Sequence, residues 1–331
     1  MPQISVVVTA HNNAGLLVRC LASVVESRCR DFELIVVDDA STDEAVMTAK
    51  RFTDKVIAFE CHRGTNAARV AGYTLAKGDL IINLDADVVV FPDTFKKVIA
   101  SFAAHPEAVA VTGILSKQHP FQNFSSQYKN LYMHFIFIRL PERVTFLYGS
   151  LYGFRREIAN EYVSNIRGAE DTMFGQRLCS LGKKIYLDKT LEVEHLKHYD
   201  LLKLIRNDFN IPFHWACIFL EYNGIRQMVK GGGGFAHASL RQLTGIGFAA
   251  IVVLLIVAQI LGSPVLPYLL AGAVAWVLLN EDFFVFLKKE KGAWFAARSI
   301  AFTFLDQIVM LSGIISGLIH FSMRRSNSKA P

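Results

Sequence analysis

The chain has 331 residues, a formal net charge of +6 and an apolar fraction of 52%. That length suits one large domain with an appendage and excludes a minimal single-core module. A mean hydropathy of +0.31 is high for a wholly soluble protein. The lysines and arginines form no stripe with interleaved aromatics, which argues against a surface that tracks nucleic acid.

In chain order, "ISVVVTA" (4–10) reads as a first strand. The opening lacks the basic region and long apolar run of a signal peptide. "AGLLVRCLASVVES" (14–27) has helical spacing, with Leu17, Cys20, Leu21, Val24 and Val25 on one side. "FELIVVDDAS" (32–41) is a second strand, and "STDEAVMTAKRF" (41–52) opens like a capped helix through Ser41 and Glu44. "KVIAFE" (55–60) is a third strand, and "GTNAARVAGYTLAKG" (64–78) is a helix closed by a glycine. "DLIINLD" (79–85) is a fourth strand, the proline-led 92–105 a helix, and "AVAVTG" (108–113) a fifth strand. Alternation of apolar strands with helices predicts an α/β domain built on a mostly parallel sheet covered on both faces. The five cysteines show neither CxxC nor zinc-ligand spacing, and read as thiols of a reducing compartment.

Beyond residue 200 the pattern changes. Residues 198–229 alternate aromatic and basic side chains around an apolar stripe and read as helices at a bilayer surface, interrupted near Pro212. "GGGG" (231–234) reads as a flexible break. Three hydrophobic segments follow, near 244–262, 265–287 and 299–320, the last carrying Asp306. Small residues Ser312, Gly313, Ser316 and Gly317 would let helices approach closely. The predicted domains are 1–200, catalytic; 201–235, interfacial helices and linker; and 236–331, transmembrane helices and a basic tail.

Ligands of parallel sheets bind beyond the C-terminal strand ends. The first strand ends at His11–Asn12, the second at Asp38–Asp39, the fourth at Asp85–Ala86–Asp87. Neither GxGxxG nor a Walker A loop follows the first strand. Two acidic pairs facing one cleft repel unless a cation intervenes, which suits Mg²⁺ or Mn²⁺ bridging to phosphate oxygens. The plain alternative for Asp85 and Asp87 is a solvated turn.

Several segments in order resemble the inverting nucleotide-sugar glycosyltransferases of family 2, which have the GT-A fold. These are "VVVTAHNNA", "VVDDASTDEA", "RGTNAARVAGYTLAKGD", "NLDADVVVFPD", "YGSLYGFRRE" and "GAEDTMFGQRLCSLGKKI". The match runs over about residues 3–195. Two family features are missing: the glutamate of the first turn, replaced by Asn13–Ala14, and the Gln-x-x-Arg-Trp of processive synthases.

The resemblance implies a GT-A, Rossmann-like catalytic domain and a set of roles. Asp38 or Asp39 would accept from the nucleobase, usually uracil. Arg69 would face the same cleft, paired with an aspartate or the diphosphate. Asp85 would contact ribose or metal-bound water. Asp87 would hold the Mg²⁺ or Mn²⁺, with His195 as a further ligand. "EDTMFGQRL" reads as the start of a helix with Asp171 at its first turn, and Asp171 would be the general base that deprotonates the acceptor. The partners implied are a nucleotide-sugar, in the first instance a UDP-sugar, a membrane lipid or lipid-linked acceptor, and the bilayer. The expected location is a multi-pass membrane protein with its catalytic domain in the cytoplasm. Two other readings stay open: transfer to a polyprenyl phosphate, and an inactive membrane scaffold of the same fold.

Overall fold

A computed structural model describes residues 3–162, 168–222, 224 and 237–327. The "GGGG" break and the end of the basic tail lie outside the described residues. The chain divides into two compact units. One comprises residues 1–122 and 137–198, the other residues 123–136 and 199–331.

The first unit is an α/β domain around a nine-stranded sheet. Its first half comprises β1 (Ile4–Ala10), β2 (Phe32–Asp38), β3 (Val56–Ala58) and β4 (Leu80–Asp85), paired in parallel in the order β3-β2-β1-β4. Ile4, Val6, Val7, Val8, Ile35, Val36, Ile81 and Ile82 are fully buried, which is why these strands read as unbroken apolar runs. The sheet then becomes mixed. β8 (Leu151–Arg155) runs antiparallel between β4 and β6 (Ala108–Leu115), and β6 pairs in parallel with β9 (Lys184–His195). β5 (Val88–Val90) and β7 (Arg143–Val144) pair antiparallel with β9.

Helices α1 (Ala14–Val25), α2 (Ala45–Lys50), α3 (Thr65–Leu75) and α4 (Thr94–Ala104) join these strands, and α6 (Glu170–Ser180) precedes β9. Two helix ends differ from expectation. No capping box forms at Ser41 and Glu44, and α2 starts only at Ala45. Ser41 instead gives its N–H to Asp38 and accepts at its hydroxyl from the Asn12 N–H, so it ties two strand ends together. Helix α3 stops at Leu75, with Ala76 extended, before its glycine. Gly78 serves a close approach: a Cβ there would lie 2.6 Å from Ile4 C and Ser5 N.

The second unit is helical. It holds most of α5 (Phe124–Arg139), then α7 (Leu201–Glu221), α8 (Leu240–Ile260), α9 (Leu266–Leu279), α10 (Glu281–Lys291) and α11 (Ala293–Asn327). α7 is one helix through Pro212, not two. It packs along α11, where a Cβ at Gly313 or Gly317 would come within 2.3 Å of the Phe209 or Phe213 carbonyl oxygen. Contacts of that kind bring helix backbones together in membranes. By length and composition, α8 and residues Ala293–Arg324 of α11 can each cross a bilayer. The bent pair α9–α10 passes the same test only together, across a 57° bend at Asn280. The broken hydrophobic segment is therefore the second; the third is continuous.

Asp306 sits inside this unit, 1% exposed, beside Asp208, Lys129 and Tyr128. It is no surface group at a membrane edge. Lys129 Nζ is paired with Asp208, which also accepts from the Asn207 amide at 2.8 Å. At the bend, Trp276 donates to Gln307 at 2.7 Å, Gln307 to Asn280 at 3.0 Å, and Asn280 back to the Trp276 carbonyl at 2.8 Å.

Candidate active site

The C-terminal ends of β1, β2 and β4 gather the predicted acidic groups at one edge of the sheet. Asn12 there has φ 51°, a left-handed conformation that asparagine tolerates better than most side chains. Its amide oxygen accepts from the Thr42 N–H and hydroxyl, which braces the β1 turn against the β2 turn. His11 lies next to the Asp39 carbonyl, 2.7 Å from Nδ1, and its ring lies over that of His62 with centroids 4.4 Å apart.

Asp38 and Asp39 are both 2% exposed but differ in what they hold. Asp39 accepts the N–H groups of Arg63 at 2.7 Å and Gly64 at 2.8 Å, and His62 lies 3.0 Å away. It is occupied in fastening the entry to α3. Asp38 accepts one N–H, from Ser41 at 2.9 Å, while its other oxygen is buried with no hydrogen-bond partner.

Arg69, on the buried face of α3, reaches under the β4 end and donates to Asp85 at 2.8 Å and to the Tyr162 hydroxyl at 3.4 Å. Burial pushes the Asp85 carboxyl up to about 6. Arg69 opposes that push, and the charges of Asp87 and Asp171 add to it.

Asp87 is placed by a strand that sequence reading missed. After a two-residue turn the chain forms β5, whose first residue, Val88, stands opposite His195 of β9. The Leu196 N–H closes the turn on the Asp87 carbonyl at 2.7 Å. Asp87 Oδ2 and His195 Nε2 thereby come to 3.5 Å. Burial works against the Asp87 charge, but His195 and Lys197 together hold its carboxyl below the usual range. Among the described residues, no three His, Cys, Asp or Glu side chains converge on one point. The Asp87–His195 pair fits a divalent cation as one oxygen and one nitrogen donor, with the rest of the shell left to ligand oxygens and water.

Asp171 opens α6, as the sequence predicts, behind Ala169 in a left-handed conformation. Its carboxylate accepts from the Thr172 N–H at 2.7 Å and the Gly149 N–H at 2.6 Å. Burial raises its affinity for a proton, with Arg69 and these two N–H groups pulling the other way. Gly149, which sequence reading passed over, is the meeting point of the cluster. A Cβ there would lie 3.1 Å from Asp171 Oδ2, 3.3 Å from Arg69 Nη2 and 3.3 Å from Asp85 Oδ2. The segment "YGSLYGFRRE" is a turn followed by strand β8. Its Arg155 donates to the carbonyls of Ala108 and Pro106, outside this cluster.

One sheet edge thus holds a buried carboxylate at a helix start, a second buried carboxylate with one oxygen unpartnered, and an Asp–His pair. Residues 5–163 match the family Glycosyl transferase family 2. The succinoglycan biosynthesis protein ExoO of Rhizobium meliloti is 32% identical over 117 residues, 34% of this chain and 34% of that protein. An undecaprenyl-phosphate 4-deoxy-4-formamido-L-arabinose transferase of Pseudomonas fluorescens is 29% identical over 138 residues, 39% of this chain and 40% of that one. The chain spans about a third to a half of the length of such curated relatives. In fold it is similar to the mannosyltransferase PcManGT from Pyrobaculum calidifontis, solved with GDP-Man and Mn²⁺. The TM-score is 0.69 at 17% identity, over 96% of this chain and 87% of that one.

Proposed function

This chain belongs to glycosyltransferase family 2, and from that premise we propose that it is a membrane-anchored inverting transferase. It moves a sugar from a nucleotide-sugar, a UDP-sugar in the first instance, to a hydroxyl of a lipid or lipid-linked acceptor. The observation that carries this reading is the placement of Asp171. It is a buried carboxylate held at a helix start, within the cluster that Arg69, Asp85 and Gly149 form at the strand ends.

In this reading Asp38 offers its unpartnered oxygen to the nucleobase N–H, since both Asp39 oxygens are already engaged by the α3 entry. Asp85, oriented by Arg69, meets the ribose. Asp87 and His195 would hold Mg²⁺ or Mn²⁺, the imidazole favouring Mn²⁺, and such an ion would supply neutralising charge for a diphosphate leaving group. Asp171 takes the proton of the acceptor hydroxyl. That oxygen then attacks the anomeric carbon from the side opposite the nucleotide, and the configuration inverts. The proton acquired by Asp171 is later lost to solvent.

Anchoring by the hydrophobic helices fits an acceptor that itself lies in the membrane. With the catalytic unit in the cytoplasm and the bent pair counted as one crossing, the basic segment 288–298 falls on the cytoplasmic side. A second reading, transfer to a polyprenyl phosphate, is favoured by the acceptor in the name of the Pseudomonas relative. The same variant separates the two. A hydroxyl needs a base, whereas a phosphate is already ionised.

The test is nucleotide release by detergent-purified protein with Mn²⁺, a panel of UDP- and GDP-sugars, and a total lipid extract. Asp171→Asn is expected to lower kcat by about 10²–10⁴-fold with nucleotide binding kept. Release that needs lipid but survives Asp171→Asn would move the assignment to the phosphate acceptor. No release from any donor would favour the scaffold.

A further inference from the structure

Asn83 is fully buried in the middle of β4, in a run that is otherwise apolar until Asp85. An amide in such a place is costly unless both its ends are bonded. Its Oδ1 accepts from the Tyr73 hydroxyl at 2.9 Å, and its Nδ2 donates to the Gly149 carbonyl at 2.9 Å. The amide can face only one way, because the reversed orientation would set its oxygen against the Gly149 oxygen. Tyr73 and Tyr152 hydroxyls lie 2.6 Å apart, both buried. Tyr73 has one proton and gives it to Asn83, so Tyr152 is the donor in that pair. Gly149 then gives its own N–H to Asp171 at 2.6 Å.

Every donor in this series points the same way, from Tyr152 through Tyr73, Asn83 and residue 149 to the Asp171 carboxylate. The bonds as far as the Gly149 carbonyl align head to tail and polarise one another, while the Gly149 N–H belongs to the neighbouring peptide group, so the link on to Asp171 is one of position. Residue 149 is held at both ends, by Asn83 on its carbonyl and Asp171 on its N–H. With no side chain it also leaves open the space between Asp171, Arg69 and Asp85.

We infer that Asn83 is a positioning residue of the reaction. Through the backbone of Gly149, and backed by Tyr73 and Tyr152, it fixes the carboxylate of Asp171 in its working orientation. The inference rests on the reading of Asp171 as the general base and extends it to the core side chains that orient it. Asn83 touches no substrate itself.

The experiment uses the full-length protein in detergent with Mn²⁺, a total lipid extract, and UDP-glucose, UDP-galactose, UDP-N-acetylglucosamine and GDP-mannose as probes. It compares Asp171→Asn, Asn83→Leu and Tyr73→Phe, with kcat, donor KM and the pH dependence of kcat measured for each. Asn83→Leu is expected to lower kcat about 10–100-fold, the range set by loss of one hydrogen bond to a charged group, with donor KM unchanged. The limb of the pH profile on which the base loses its proton moves to higher pH, because a donor that stabilised the ionised form is no longer held in place. Tyr73→Phe gives the same changes in smaller measure. It removes a single oxygen, so it carries the test if Asn83→Leu does not fold. Wild-type kcat and pH profile in both variants, with Asp171→Asn inactive, would overturn the positioning role while leaving the base in place. A changed KM or melting temperature with kcat intact would mark a structural role only and overturn it too. Full activity in Asp171→Asn would overturn the base assignment itself.

Discussion

In the α/β unit, Asp38, Asp85 and Asp87 stand at strand ends, with an oxygen unpartnered, a pair with Arg69, and a pair with His195. In the helical unit, Asp208 and Asp306 lie inside helix packing, each 1% exposed, with Lys129 as their cation. Both groups of carboxylates are held by cations or hydrogen bonds, but the first stands where strands end and the second between packed helices. The contrast separates two uses of a buried charge. At the sheet edge, under the proposed function, hydrogen bonds prepare a group to meet a ligand. Within the helices, Lys129 pairs with Asp208 beside Asp306, and one oxygen of each aspartate is buried without a hydrogen-bond partner.

Each side of that contrast can be broken separately. The largest effect on stability is expected from Lys129→Met, which leaves Asp208 and Asp306 buried without their cation. It should cost about 3–5 kcal/mol, seen as a lower melting temperature in detergent. Adding Asp208→Leu should recover much of that loss, since a hydrophobic replacement of a buried pair is often tolerated. If the single variant melts like the wild type, the cluster is no internal ion pair and the contrast fails.

Next in size is Gly313→Leu. Its side chain would enter the space occupied by the Phe209 backbone, and overpacking at such a contact costs about 1–3 kcal/mol. The same measurement reads it, and Ser312→Leu on the exposed side of the helix serves as the neutral control.

The smallest effect concerns pH at the sheet edge. The folded state holds Asp85 near a pKa of about 6, above the ordinary carboxylate value. Between about pH 4 and 6 the folded protein therefore keeps a proton that the unfolded chain has released. Its stability falls as pH rises through that window. Asp85→Asn should flatten the slope in metal-free protein, measured by melting temperature against pH. A slope unchanged by the substitution would mean that another group holds the proton.

Much of this was readable before the structure. Strands β1, β2 and β4 announce themselves because burial on both faces demands continuous apolar runs, and the acidic ends of β2 and β4 mark the candidate site. Helix α6 with Asp171 in its first turn was equally plain. What escaped depends on contacts between distant segments. Strand β5 has three residues, too few for periodicity, and exists because β9 lies beside it. The difference between Asp38 and Asp39 comes from N–H groups 24 and 25 residues away from Asp39, which no local pattern records. Pro212 suggested an interruption by local rules, yet the helix runs through it, where α7 lies close along α11. Asn83 did leave a signal, a lone amide in an apolar strand, but only geometry shows what it holds.

The 57° bend at Asn280 has a mechanical consequence. Helix α9 has 14 residues, so its apolar arm extends only about 21 Å, while the hydrocarbon layer measures about 30 Å. Asn280, Glu281 and Asp282 follow at once, and Arg241 closes the corner by pairing with Asp282 and bonding the Leu279 carbonyl. A corner this polar draws water and headgroups toward it, and each ångström of mismatch costs a fraction of a kcal/mol. A bilayer crossed by this bent pair is expected to thin beside α9, with headgroups drawn toward the corner.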